Sequence, residues 1–397
     1  MALTSGNYAD LITFTRASSA TYLDSDGILK TASTNEPRIE YDADGNRLGL
    51  LVEESRTNLE SYSLVIDANW GKSDTTITNN AITAPDGTTT ASLVKETTVT
   101  SSHRVQGNGI ISSGTTYTFS VYAKKKERSV FSIGGAGLFG ASEMPEFDVD
   151  NGVAYNGGTG NALVSIQDVG NGWYRCSVTY TATGTSGYIL QLHDSLKNAP
   201  PASASGFIYT GDGSSGMYFW GAQLEAASFP TSYIPTSGST ATRSADVASI
   251  GVSEFGYNQS EGTLFVQCQH FTTESGATSA SAVALDDGSS SNRMWYYQNK
   301  GQWIGSSGGV TQFSIHGSDL AENTEVKASM VYSADDFALY IDGSSVGTDT
   351  AGSVAVGVTT LHIGKAGVSG FTLNGHIKSI RYYPRRLTNA QLQELTS

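Results

Sequence analysis

Apolar and polar residues alternate along this chain in short runs. In Thr116–Tyr122, Tyr117, Phe119 and Val121 fall on one side, and Thr118, Ser120 and Tyr122 on the other. A period of two is that of a half-buried antiparallel strand. Similar runs appear at WYRCSVTYTA, GYILQLHD and MYFWGAQLEA, then at GTLFVQCQHF, SAVALDD, MWYYQN, TEVKASMVYS and FALYIDG. Ser, Thr, Gly and Asn separate the runs about every 8 to 12 residues, the spacing of sandwich hairpins. Asp342-Gly343, set between two alternating runs, predicts a tight hairpin. One helix is predicted, at the end of the chain. Thr388 and Gln391 stand at capping-box spacing there, and Leu387, Leu392 and Leu395 supply an apolar face. The pattern predicts an all-β fold.

A chain of 397 residues exceeds one ordinary core. Residues 1–58 read as a small N-terminal docking segment, with turns at Asp24–Gly27 and Asp42–Gly45 closing two hairpins. Residues 59–236 read as one sandwich and 251–397 as another. Between them, 237–250 (SGSTATRSADVASI) is small and polar and reads as a linker. The stretch from Gly134 to Gly160 reads as loop. Its acids Glu143, Glu146, Asp148 and Asp150 suit a loop rim or part of a cation site.

Charge removes several partners. The net charge of −14 is evenly spread, whereas nucleic-acid binding needs a basic face. Lys124-Lys125-Lys126 with Arg128, and Arg381 with Arg385-Arg386, read as solvated strand ends and loops. No run of about 18 apolar residues predicts a membrane span. The N-terminus has no basic stretch leading into an apolar core, so no signal peptide is expected. Cys176 and Cys268 lie in strand-like runs and read as free buried thiols.

The search for chemistry gives little that points to an enzyme. His103, His193, His270, His316, His362 and His376 are dispersed and read as isolated residues. Asp286-Asp287 and Asp335-Asp336 are adjacent pairs that would face opposite ways on a strand. The D-x-D-G turns lack the full calcium-loop ligand set and read as plain hairpin turns. Glycan binding asks only for aromatic rings beside polar groups. The richest candidates are Trp295, Tyr296, Tyr297, Gln298, Asn299 and Trp303, although alternation keeps Tyr296 from sharing a face with Trp295 and Tyr297. Trp70, Trp173 and Tyr174 form a second set. The alternative for both sets is core packing.

Three sets of stretches carry a resemblance. Gly172 to Thr179 with Phe219 to Glu225 resembles carbohydrate-binding-module-like jelly rolls. Leu339 to Gly343 with Ile377 to Leu395 resembles laminin-G, concanavalin A-like lectin sandwiches. Phe14-Thr15-Arg16, Gly49 to Leu59, Phe229 to Thr236 and Thr242-Arg243 are similar to virion proteins of tailed bacteriophages, of the tail-fibre and head-fibre kind. The resemblance implies a non-enzymatic virion protein, made in the host cytoplasm, that attaches to host surface polysaccharide. It implies contact with other virion proteins through the N-terminal segment, and a homo-oligomer with a trimer favoured. No cofactor is required; structural calcium is common in both sandwich families. The alternatives are a purely structural decoration or assembly module and a polysaccharide depolymerase.

Overall fold

The computed structural model describes residues 11–397 except 67–68, 108, 110, 136–143, 157–161, 186, 196–206, 272–279 and 368–370. It is all-β, with antiparallel pairing in two sandwiches and one short helix. In the middle sandwich, one six-stranded sheet runs Leu163–Asp168, Trp173–Thr181, Thr116–Lys125, Gly216–Glu225, Ala91–Glu96, Thr75–Ile82. It packs on Val153–Tyr155, Glu146–Asp148, Val130–Gly134, Ile189–Leu192, Arg104–Gln106, Gly71–Ser73. Tyr117, Phe119 and Val121 point into the core between them, beside Phe131, Phe147 and Cys176. Two of these strands, Glu146–Asp148 and Val153–Tyr155, fall where the sequence reads as loop; Glu143 lies outside the described residues.

The C-terminal sandwich has two seven-stranded sheets. The front sheet runs Thr13–Thr15, Val247–Gly251, Thr360–Ile363, Ser281–Asp286, Arg293–Tyr297, Gln302–Ser307, Val310–His316. The back sheet runs Ser344–Asp349, Phe337–Ile341, Val326–Ser333, Glu261–His270, Gly375–Tyr383, Arg47–Val52, Ile39–Tyr41. Asp342 and Gly343 take φ of 46° and 74° between the paired Ile341 and Ser344. Positive φ at both positions is the primed turn whose twist suits a hairpin. The helix Asn389–Thr396 is capped reciprocally. Thr388 Oγ1 accepts the Gln391 N–H at 3.3 Å, and Gln391 Oε1 accepts the Thr388 N–H at 2.9 Å. Leu387 and Leu392 seat it on Val331 and Tyr340. Cys176 and Cys268 are free and buried, and burial pushes both thiols up.

The segmentation read from the sequence changes. Residues 1–58 are not a separate docking unit. Thr13–Thr15 closes the front sheet against Val247–Gly251, and Arg47–Val52 and Ile39–Tyr41 extend the back sheet beyond Gly375–Tyr383. The reason is burial: short strands cannot shelter Phe14, Leu50 and Val52 alone, and here all three join the C-terminal core. The 237–250 stretch is not a free linker either. Ala241–Arg243 pairs with Arg56–Asn58, and Val247–Gly251 lies inside a sheet. The chain therefore begins the C-terminal sandwich, leaves to build the middle one, and returns to finish the first. The hairpin Ala20–Leu23 with Leu29–Ala32 covers the middle sandwich's outer side, where Leu29 meets Tyr122, Trp173, Trp220 and Tyr233. Thr118, Ser120 and Tyr122, the polar face of the alternating pattern, are buried as a result.

Exit and return are joined by buried charge. Arg16 Nη1 donates to Asp246 Oδ1 at 3.1 Å, and Arg38 Nη2 donates to Asp246 Oδ2 at 2.5 Å. Arg38 Nη2 also lies 2.9 Å from Glu53 Oε2, with Arg243 Nη2 3.6 Å from the same oxygen. Each of these five side chains is 0% or 1% exposed. Ser232 donates its N–H and hydroxyl to Glu53 at 2.7 and 2.6 Å. Burial alone pushes the Glu53 carboxyl up. Arg243, Arg38 and the Ser232 bonds outweigh it and hold the group at about 2.

A carboxyl held below its unfolded value stabilises the fold above that value, and the contribution is lost as pH falls through the folded one. The window for Glu53 runs from its ordinary 4.5 down to about 2, and the contribution is on the order of 3 kcal/mol. Denaturant titrations between pH 5 and 2 are expected to show this loss, and Glu53→Gln to flatten it. Near neutral pH the same variant is expected to cost about 3–5 kcal/mol, because it leaves buried guanidinium groups uncompensated.

Candidate functional site

Alternation along Arg293–Tyr297 sorts the predicted residues. Met294 and Tyr296 enter the core, while Trp295 and Tyr297 stand on the outer face of the front sheet. Trp303 is also core, its indole Nε1 donating to the Val331 carbonyl at 3.2 Å. Gln298 and Asn299 are buried in a 3₁₀ turn, where Asn299 Oδ1 accepts the Ala280 N–H at 2.7 Å. Trp70 belongs to the middle core, edge-on to Tyr188 at 5.9 Å. Trp173 is buried under the N-terminal hairpin, and Tyr174 is half-buried. Tyr296, Gln298, Trp303 and Trp70 thus sit where no sugar ring could stack on them. Large rings in a chain with few charges are the cheapest means of filling two cores.

Trp295 and Tyr297 lead to a different set of neighbours. Strand pairing lines up Ser249, His362, Ala284, Trp295, Ile304 and Ser314 across the front sheet. Thr360, Asp286, Arg293 and Ser306 make the adjoining row. The Arg293 guanidinium lies 4.0 Å from the centroid of the Trp295 ring. The Asp286 carboxylate is buried. Its Oδ1 accepts the Gly288 N–H at 2.9 Å and faces His362 Nε2 at 3.2 Å. Among the described residues its Oδ2 has no hydrogen-bond partner, and neither has the buried Trp295 Nε1–H. One acceptor and one donor, diagonal neighbours on adjacent strands, are left unsatisfied on one face. Other buried polar atoms, among them Tyr296 Oη and the Gln298 amide, share this condition among the described residues, and this pair differs from them in standing together on the outer face of the sheet. Gly367 passes over this point with φ +51°, where a Cβ would fall 1.9 Å from Asp286 Oδ2. At the open edge of the same face, His316 Nε2 meets the Ser314 hydroxyl at 2.7 Å and Gln302 Nε2 at 3.2 Å.

The paired acids take separate roles. Asp287 accepts the hydroxyl and N–H of Ser289 at 2.6 and 2.9 Å. Asp336 holds Arg386 through two bonds of 2.9 Å. Asp24 and Asp42 spend their carboxylates on the backbone N–H groups of Ile28 and Asn46 in hairpin turns. Among the described residues, no group of three or more His, Cys, Asp or Glu is placed to hold a metal.

One constellation has no signal in local spacing. Ser132 Oγ lies 2.7 Å from His193 Nε2, and His193 Nδ1 lies 2.8 Å from Glu146 Oε1. The geometry is that of a nucleophilic relay. All three are at most 1% exposed, with the Phe207 ring stacked on the imidazole at 3.9 Å. Ser132 and Glu146 face each other across paired strands, and His193 follows the strand Ile189–Leu192. As placed, the relay ties the strand ends together and leaves Oγ no room for a substrate.

Residues 258–393 match the concanavalin A-like lectin/glucanases superfamily. The C-terminal sandwich is a concanavalin A-like domain. The match begins at residue 258, so strands from 13–52 and 247–251 complete this domain from outside the matched span. A comparison with curated proteins finds no match. Among solved structures, the chain is similar to the heptameric SAP-like pentraxin of Limulus polyphemus at 15% identity, covering 34% of this chain and 70% of that one, TM-score 0.26. It is similar to domain 4 of AbnA, an extracellular arabinanase of Geobacillus stearothermophilus solved with arabinotriose, at 12% identity over 43% and 82% of the two chains, TM-score 0.28. Trypanosoma rangeli sialidase matches at 11% identity, with 81% of this chain on 62% of that one, TM-score 0.28. None of these scores is high enough to add to what the strands themselves show.

Two tryptophans separate core from face. Trp303→Ala is expected to cost about 3–5 kcal/mol of stability, as a buried ring does. Trp295→Ala, on the outer face but covered by Ala366 and Phe371, is expected to cost somewhat less in the same thermal and denaturant unfolding measurements, because it also removes a buried Nε1–H without a partner among the described residues.

Proposed function

We propose that the chain is a non-catalytic, carbohydrate-binding protein of a tailed-phage virion, and that the outer face of its concanavalin A-like domain takes the glycan. The observation that carries this is the unpartnered pair on that face, Trp295 Nε1–H and Asp286 Oδ2. A sugar presents hydroxyls that both donate and accept, the two kinds of bond these atoms lack. The family matched over 258–393 supports the ligand class. The N-terminal phage-like motifs support the virion. They now mark residues built into both sandwiches, so contact with other virion proteins belongs to an outer surface of the folded chain. A symmetric homo-oligomer, trimer favoured, fits such an appendage.

A second reading rests on a specific observation. The aromatic rings singled out as ligand-stacking are covered, Trp295 at 5% and Tyr297 at 8% exposure. A face without an open aromatic groove suits a decoration or assembly module that binds protein. The third reading, a depolymerase, finds Asp286 facing a histidine and not a second carboxylate.

Calorimetry and glycan arrays with host surface polysaccharide decide between them. Saturable binding is expected, weakened about tenfold or more by Asp286→Asn, which removes a charged acceptor. Gly367→Ala is expected to abolish it by crowding the carboxylate. Absence of binding, together with unchanged adsorption of particles lacking the protein, would sink the glycan reading and leave the assembly module. Release of reducing or unsaturated sugar ends would instead establish the enzyme.

A further inference from the structure

The C-terminal sandwich is open at one end. The ladder between Arg47–Val52 and Gly375–Tyr383 stops at the Leu50–Ile377 pair. Beyond it the Lys378 carbonyl is met by the side chain of Arg47, whose Nη1 donates to it at 3.2 Å. On the facing sheet the edge strand is Thr13–Thr15, only three residues long. Between the two edges lies a cavity of about 360 Å³. Its interior is aliphatic and aromatic: Phe14, Leu50, Ile250, Ile363, Ile377 and Ile380 are all core residues. Polar groups are confined to Asn35, Arg47, Lys378 and Ser379.

Protein cores are packed to crystal density, and voids larger than a water are few. A cavity of this size falls in the range of small-molecule sites, about 300–1,000 Å³, which are likewise apolar with a few placed polar groups. The cations in its lining are not equivalent. Lys378 Nζ is 2.7 Å from Glu325 and so is already neutralised. Arg47 is exposed and has no carboxylate partner among the described residues. In a chain of net charge −14 an unpaired guanidinium beside an apolar cavity is a local preference for an anion.

We propose that this cavity binds one unbranched acyl chain bearing an anionic head, with the tail between the two sheets and the carboxylate on Arg47. The interior offers nothing for a sugar to bond, so this site is distinct from the outer face of the front sheet and does not depend on it.

The test titrates dodecanoate into the full-length chain, followed by displacement of a fluorescent fatty acid and by saturation-transfer NMR. Saturable binding of one equivalent is expected. Arg47→Glu is expected to weaken dodecanoate about three- to fivefold, the worth of an exposed ion pair, and to leave dodecanol unchanged. Ile363→Phe, which fills the interior, is expected to abolish both. Ile12→Trp at the half-buried mouth, where the side chain packs on the rim of the core, does the same should the interior variant unfold. No saturable binding by the unaltered chain overturns the proposal. So does binding that appears only after residues 1–10 are deleted, which would give the cavity to that segment. So does a dimer that Ile12→Trp dissociates while dodecanoate leaves it intact, which would give the cavity to a second copy. Equal affinity of Arg47→Glu and the unaltered chain for dodecanoate removes the anionic head.

Discussion

The structure turns on five charged side chains that no water reaches. Arg16, Arg38 and Arg243 converge on Glu53 and Asp246 where the chain leaves the C-terminal sandwich and where it returns. Burying charge costs several kcal/mol per ion unless each group is paired and hydrogen-bonded. Here that requirement is met only when three separated stretches of chain are all in place. Arg38 bonds the Thr21 carbonyl and Ser232, Arg16 the Ser18 and Ser33 carbonyls, and Arg243 the Glu54 carbonyl. Among the described residues only the Nε atoms of Arg38 and Arg243 in this cluster are left without a hydrogen-bond partner. The cluster ties the insertion of one sandwich into the other to a single arrangement, since any other leaves these buried charges unpaired.

Most of the strands were legible because period two is local. Tyr117, Phe119 and Val121, the Asp342-Gly343 turn and the Thr388–Gln391 cap each declare themselves within a few residues, and each stands where expected. The insertion was not legible, because it is written in pairs hundreds of residues apart. Thr13–Thr15 looks like a fragment until it meets Val247–Gly251, and SGSTATRSADVASI looks like a linker because its strand buries few large residues. Arg243 and Asp246, which tie that stretch into the joint, carry no sign of burial in their local spacing. The motifs that suggested a phage protein, Phe14-Thr15-Arg16, Gly49 to Glu53 and Thr242-Arg243, turn out to supply much of the joint.

The candidate site was half legible for the same reason. Alternation correctly separated Tyr296 from Trp295 and Tyr297. It could not say which of the two faces was sealed. Depth depends on what crosses above a sheet, and Phe371 and Ala366, packed against Trp295 and Tyr297, come from a distant hairpin. Asp286 and His362 had no visible connection until strand pairing placed them side by side. Ser132, His193 and Glu146 are a stronger case: His193 read as isolated, Glu146 as part of a loop rim or cation site, and Ser132 carried no signal, yet the three form a relay that burial keeps closed.

Each sheet has an outer face, and the chain covers most of them with itself. The N-terminal hairpin caps Trp173 and Trp220, the C-terminal helix caps Val331 and Tyr340, and Phe207 lies over His193. Such covering is what a sandwich with apolar outer faces needs to stay dispersed, since large exposed patches associate. On the front sheet the covering is incomplete in a particular way. It shelters Trp295 and Asp286 from bulk water and leaves a donor on one and an acceptor on the other without partners. A cover selected only to protect the face would have had every reason to satisfy them. Leaving buried polar atoms unpartnered costs stability at each, and in the reading proposed above a ligand hydroxyl would offset that cost at both.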